Sequence, residues 1–250
     1  MSPEKKISKR QARRELRKRQ EKRNRIIAIG AIVIGAVVIA GILINASLPK
    51  PVGSIATVEP RPRFMANDNA MGNPNAPIRL EEFSDYQCPY CDRFYKETET
   101  QLEDAYVATG KVYFVYRSFG AFIGSESKAA AEAAYCAGDQ NKYWEYHDIL
   151  FANQTGENVG DFSNSRLQAF AETLGLDMNA FNSCFNSNKY SDRVDQDSVD
   201  GTAAGVQATP SFVMSYTVNG QQQQKLIEGA QAFSQFQQTI DAALTEMGVQ

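Results

Sequence analysis

"SDYQCPYCDRF", residues 84–94, sets two cysteines either side of a proline and a tyrosine, and the reading of this stretch decides the fold. Immediately upstream, "IRLEEF" (78–83) alternates so that Ile78, Leu80 and Glu82 share one face of a strand. A carboxylate on that apolar face is unusual. Downstream of Pro89, Phe94, Thr98, Leu102 and Ala105 or Tyr106 recur at helical spacing, and Gly110 stops the run. Cys88 therefore falls at a strand-to-helix turn, with Pro89 at the first helical position, where a missing N–H removes no bond. The free N–H groups and positive dipole end of the helix favour an anion, so a Cys88 thiolate of lowered pKa is expected. Cys91, one turn on, can close a disulfide with Cys88 and resolve a mixed one. Electron exchange, half of a zinc site and an inert staple all remain open to such a pair.

The compartment narrows that choice, and the chain ends report it. The 250 residues are 43% hydrophobic and 22% charged, an ordinary globular composition. Residues 1–25 hold twelve Lys or Arg against Glu4, Glu15 and Glu21, which leaves 14 basic and 26 acidic residues beyond them, a net charge of -12. A basic head and an acidic body are separate objects. Between them "IIAIGAIVIGAVVIAGILI" (26–44) is nineteen apolar residues without a charge. A helix needs ~20 to cross ~30 Å of hydrocarbon, so the segment reads as a transmembrane anchor. A signal peptide has a shorter apolar region, and Ile44 stands where a cleavage site after Ala46 needs a small residue. Twelve basic residues before the span, against Lys50, Arg61 and Arg63 soon after it, put the N-terminus in the cytoplasm and everything from residue 48 outside. The basic head is a topological signal on this reading, and no nucleic-acid partner is expected. Outside the cytoplasm disulfides persist, and four cysteines allow three pairings.

Residues 45–77, with Pro49, Pro51, Gly53, Pro60, Pro62, Gly72, Pro74 and Pro77, read as a linker ahead of a domain at 78–250. "VYFVYRSF" (112–119) is continuously apolar enough for a central strand buried on both faces. An all-helical block follows at about 121–205. Ser125 is the expected cap of an alanine-rich helix ending at Gly138; Tyr143, His147, Leu150 and Phe151 make a second stripe; Leu167, Phe170, Ala171 and Leu174 a third; Asp177 caps a fourth. "SFVMSYTVNGQQQQKLIEG" forms two strands about Asn219-Gly220, a type I′ signal. A last helix aligns Phe233, Phe236, Ile240, Ala243, Leu244 and Met247. The order is β-α-β, helices, β-β-α.

"MGNPNAPIRLEEFSDYQCPYCDRF", "AAYCAGDQNKYWEYHDILFANQ" and "GVQATPSF" with "LIEGAQAFSQFQQTIDAAL" together resemble the DsbA-like thiol-disulfide oxidoreductases over residues 70–247. The resemblance implies a thioredoxin-like α/β fold with an inserted helical subdomain, here preceded by one transmembrane helix. It implies that Cys88 is the nucleophile and Cys91 the resolver, and that Thr209-Pro210 is a cis-proline turn facing them. Substrate peptides would then lie along Thr209 and Pro210, beside Pro89 and Tyr90, in a strand-addition mode. Glu82 matches a buried family acid that shuttles the proton of the resolving cysteine. Cys136 and Cys184 are expected to form a structural disulfide between insertion helices. One departure is Tyr90: strongly oxidising relatives carry a His there, so a weaker oxidant is expected. His147, the one histidine, and Trp144 read as core residues rather than catalysts.

The function expected is an anchored, extracytoplasmic thiol-disulfide oxidoreductase that donates disulfides to exported cysteine-containing proteins and is reoxidised by a partner in the membrane. No metal or other cofactor is expected, because Cys136 and Cys184 are solitary and lie on predicted helices. A reductase or isomerase would use the same residues. A chaperone or metal-carrying module is the rival of another class.

Overall fold

The computed structural model describes residues 9–47, 52–120 and 123–249. The chain divides into two compact units, one ending at Pro51 and the other beginning at Val52. The described residues of the first form one helix, α1 (Lys9–Ser47), whose stretch Arg17–Ile42 is long and apolar enough to cross a membrane. Its isoleucines and valines from Ile26 to Ile42 are exposed.

The second unit is built on five strands in the order β1-β3-β2-β4-β5: β1 (Ala70–Met71), β2 (Ile78–Ser84), β3 (Val112–Ser118), β4 (Ser211–Val218) and β5 (Gln221–Glu228). β2 and β3 are parallel, and the other pairings are antiparallel. Parallel neighbours need a crossover, here a helical run over 89–107 (α2). Register sets Glu82 of β2 between Tyr116 of β3 and Phe212 of β4, on the central strand. The β4–β5 hairpin turns through Asn219 (φ 51°) and Gly220 (φ 78°), both left-handed, as a type I′ turn requires.

Five helices fill the segment between β3 and β4: α3 (Ser125–Gly138), α4 (Tyr143–Ala152), α5 (Asn164–Thr173), α6 (Met178–Asn186) and α7 (Ser191–Ala203), with α8 (Phe233–Met247) closing the chain. One sheet face packs on α2 and α8, where Phe94, Phe212 and Phe236 meet with ring centroids 4.5 to 5.5 Å apart. On the other face Phe83, Phe119, Val206 and Val213 form a smaller cluster against α7. Gly201 of α7 lies so close that a Cβ would sit 2.7 Å from Phe83 and 2.9 Å from Phe119. Asp177 caps α6 by accepting the N–H groups of Asn179 and Ala180. Ser125 is the first residue of its helix rather than the cap, which is Gly124.

The compact unit begins at Val52, not at residue 78, so most of the expected 45–77 linker is part of the domain. Ile55 packs on the core, the backbone of Ala56 exchanges two 2.8 Å hydrogen bonds with the Asn153 side chain, and β1 adds to the sheet. Its prolines and glycines looked like spacer because the partners of Arg61 and Arg63 lie on helices far along the chain. Residues 48–51 are outside the described set. Strand β3 is flanked by only the two residues of β1 on its outer side, and Tyr113 and Arg117 are half-buried, not enclosed.

Candidate active site

Cys88 is the N-cap of α2, in extended backbone, with Pro89 opening the helix and the Asp92 N–H bonded back to its carbonyl at 3.1 Å. The two thiols are free, and their surroundings differ. Cys88 is 5% exposed and lines an open cavity of about 390 Å³ with Pro89, Tyr90, Ile123, Glu157, Ala208 and Thr209. Cys91 is fully enclosed. Hydrogen bonding from the Cys91 thiol, working against burial and joined by the Thr209 side chain and the N–H groups of Cys91 and Tyr90, draws Cys88 down to about 6. Burial and the adjacent Cys88 push Cys91 well above the ordinary thiol range. At neutral pH the outer sulfur is a thiolate and the inner one a thiol, the division of labour that exchange needs.

The Thr209-Pro210 peptide is cis, and the Cys88 sulfur lies 3.4 Å from the Thr209 carbonyl oxygen. Tyr90, 58% exposed, stacks its ring beneath the Arg93 guanidinium at 5.3 Å. Cys88, Pro89, Tyr90 and Thr209 are thus gathered at one cavity, with Pro210 next in the chain.

Glu82 is 1% exposed, with Oε2 unpaired among the described residues. Burial first, then the charge of Glu99, lifts its carboxyl well above the usual range; the charge of Cys88 adds to this and the Ser84 hydroxyl opposes it. Glu82 in turn raises Cys91, so the acid and the inner thiol share one field. A carboxyl that keeps its proton beside a thiol can give that proton to a departing thiolate.

A cluster invisible in the sequence lies beneath. Residues 95–99 and 103–107 of α2 are π-helical turns, and this widening brings Glu99 and Glu103 inward alongside Phe94 and Leu102. Arg61 binds Glu99 at 2.7 Å and Glu103 at 2.8 Å; Arg63 binds Glu99 at 2.9 Å, Asp148 at 2.6 Å and also Glu103. Burial alone would raise the Glu99 carboxyl, but His147, Arg63 and Arg61 hold it below its ordinary value. Glu99, His147 and Asp148 have the spacing of a metal site; the guanidiniums take Glu99 Oε1 and Asp148 Oδ1, while Glu99 Oε2 and His147 Nε2 face each other at 3.6 Å. His147 is fully buried among Tyr86, Trp144 and Phe151, and Trp144 is in the core. Neither lines the cavity. Cys136 and Cys184 form a disulfide between α3 and α6, closing 48 residues of chain.

Comparison with known proteins agrees with this geometry. The Thioredoxin family model matches residues 65–242. A sodium/proton antiporter NhaA 1 of Salinispora arenicola is 31% identical over 150 residues, 59% of this chain but 22% of that protein. The chain thus spans about a fifth of the first curated relatives it matches, and a single described helix is long and apolar enough to cross a membrane. Disulfide bond formation protein D of Bacillus subtilis is 26% identical over 186 residues, 70% of this chain and 76% of that one. The crystal structure of oxidised BdbD from Bacillus subtilis superposes with a TM-score of 0.62 at 21% identity, covering 73% of this chain and 96% of that one. The chain belongs to the thioredoxin family.

Proposed function

We propose that the protein is a thiol-disulfide oxidoreductase, anchored in the membrane by α1 with its catalytic unit outside the cytoplasm, that donates the Cys88–Cys91 disulfide to exported proteins. The observation that carries this reading is the contrast between the sulfurs: Cys88 lines a cavity and its pKa is drawn down, whereas Cys91 is fully enclosed and its pKa, like that of Glu82, is pushed up by burial. In the oxidised enzyme a substrate thiolate attacks Cys88 Sγ, and the S–S bond to Cys91 breaks. The electron pair goes to Cys91 Sγ, which takes its proton from Glu82. A second substrate thiolate then attacks the substrate sulfur of the mixed disulfide and expels Cys88 as a stabilised thiolate. The substrate loses two electrons, and the dithiol gains them until a membrane partner removes them. Thr209 and Pro210 hold the substrate backbone beside Cys88, with Pro89 and Tyr90 forming the opposite wall.

The test is capture. Cys91→Ser is expected to accumulate substrates as mixed disulfides on Cys88 that reductant releases, whereas Cys88→Ser captures none. Absence of captured proteins from Cys91→Ser cells would reject the reading. Reductase action with the same residues predicts a potential for the Cys88/Cys91 couple near the ~-270 mV of thioredoxin, and isomerase action one near ~-180 mV, against ~-120 mV for a strong oxidant.

A further inference from the structure

Between β2 and Cys88 the chain makes a tight turn whose hydrogen bonds converge on one residue, Asp85. It is 1% exposed. Its carboxylate Oδ1 accepts the N–H of Gln87 at 2.8 Å, closing a side-chain turn over two residues. Its carbonyl accepts the N–H of Cys88 at 3.0 Å, and its own N–H donates to Cys91 Sγ at 3.4 Å. One acidic residue therefore contacts both members of the dithiol through its backbone, while its side chain fixes the backbone in that pose. Gln87 extends the arrangement: its side chain donates to Ser127 of α3 at 2.7 Å and accepts the Asn158 N–H at 2.6 Å.

We propose that Asp85 is a positioning residue of the dithiol site with a second, electrostatic role: its turn aims an N–H at the inner sulfur, and loss of its proton opposes the thiolate on Cys88. A buried donor to Cys91 Sγ stabilises that sulfur when it leaves as an anion. The electrostatic part follows from proximity. Burial lifts the Asp85 carboxyl to about 7, with the Gln87 N–H and the Ser127 hydroxyl opposing and the charge on Cys88 adding. The ionisable groups set against it are the thiols of Cys88 and Cys91 on α2; α3 presents the neutral Ser127 hydroxyl, and Glu82 of β2 is the other carboxyl that feels Cys88.

Coupling is reciprocal. In the disulfide form both sulfurs are neutral and Asp85 releases its proton readily. On two-electron reduction Cys91 takes one proton, Cys88 becomes a thiolate, and Asp85 is driven to take a further fraction of a proton. The couple is thus less oxidising above pH 7 than Cys88 and Cys91 alone dictate, and it approaches their value as Asp85 is protonated below pH 7. The inference rests on dithiol exchange as the function, yet its test needs no protein substrate, because glutathione equilibrates the Cys88–Cys91 pair directly.

Asp85→Asn keeps an Oδ1 acceptor for Gln87 and removes the charge. Its equilibrium constant for reduction by glutathione is expected to exceed that of the unaltered protein threefold or more at pH 8 and to converge with it at pH 5. Cys88 should titrate at lower pH by ultraviolet thiolate absorbance. Asp85→Ser, a shorter uncharged acceptor, should move both readouts the same way and serves if the first variant does not fold. Identical pH profiles and identical Cys88 titrations in variant and unaltered protein would overturn the proposal, since a purely structural role moves neither.

Discussion

The strongest constraint at the scale of single residues is the disparity between two sulfurs three positions apart. Cys88 receives hydrogen bonds from Cys91, Thr209 and the first helical N–H groups, whereas Cys91 faces burial and Glu82. Removing the acid should impair the inner sulfur specifically. Glu82→Gln is expected to slow oxidation of a model dithiol peptide by about 10²-fold, the usual span for a lost general acid, while attack at Cys88 by a small alkylating reagent stays fast. Stopped-flow measurement of both reactions checks this, and equal slowing of the two would place the effect on folding. The paired cysteines, Pro89 and Glu82 were all legible in the sequence because strand alternation and helix-start chemistry are local. Asp85 was not, because an aspartate before a turn is common and only the folded chain puts its N–H on Cys91.

At the scale of elements, the stretch expected as linker instead seats two arginines on carboxylates of α2 and α4. Arg63 has a side chain only 5% exposed and ion pairs to Glu99, Asp148 and Glu103. Arg63→Met leaves Arg61 as the remaining guanidinium against these buried acids and strips Asp148 of its 2.6 Å partner, and a loss of about 3–5 kcal/mol is expected, read by urea titration. Recovery of stability on adding Asp148→Asn would trace the loss to the uncompensated charge. On the opposite face α7 reaches the sheet through Gly201, where any side chain meets Phe83 and Phe119. Gly201→Val should therefore lower stability by about 1–3 kcal/mol through overpacking, despite the poor helix propensity of the glycine it replaces. Neither feature was readable in advance: α7, "SDRVDQDSVDGTA", has little apolar periodicity, and the inward carboxylates of α2 depend on π-turns that sequence spacing does not register.

For the whole catalytic unit, stability is linked to redox state and pH through Cys88. Its folded pKa is about 6 against an ordinary 9, so the folded reduced protein binds fewer protons than the unfolded chain between those values. The stabilisation is complete above pH 9 and is lost as pH falls toward 6. Denaturant midpoints of the reduced protein should accordingly rise across this window, and those of Cys88→Ser should not. The Cys136–Cys184 bond closes a loop of 48 residues, and its removal by a Cys136→Ala, Cys184→Ala pair is expected to cost about 4 kcal/mol, by calorimetry or urea melts. The sequence by itself determined the apolar span, the β-α-β, helices, β-β-α order and the placing of a dithiol at a helix start, because these depend on residues within a turn or two of one another. Tertiary structure alone decided where Val52 to Met71 go, which carboxylates become buried, and that the Thr209 carbonyl meets a sulfur 121 positions earlier. Burial and long-range pairing set those energies, and neither is a property of any local stretch of chain.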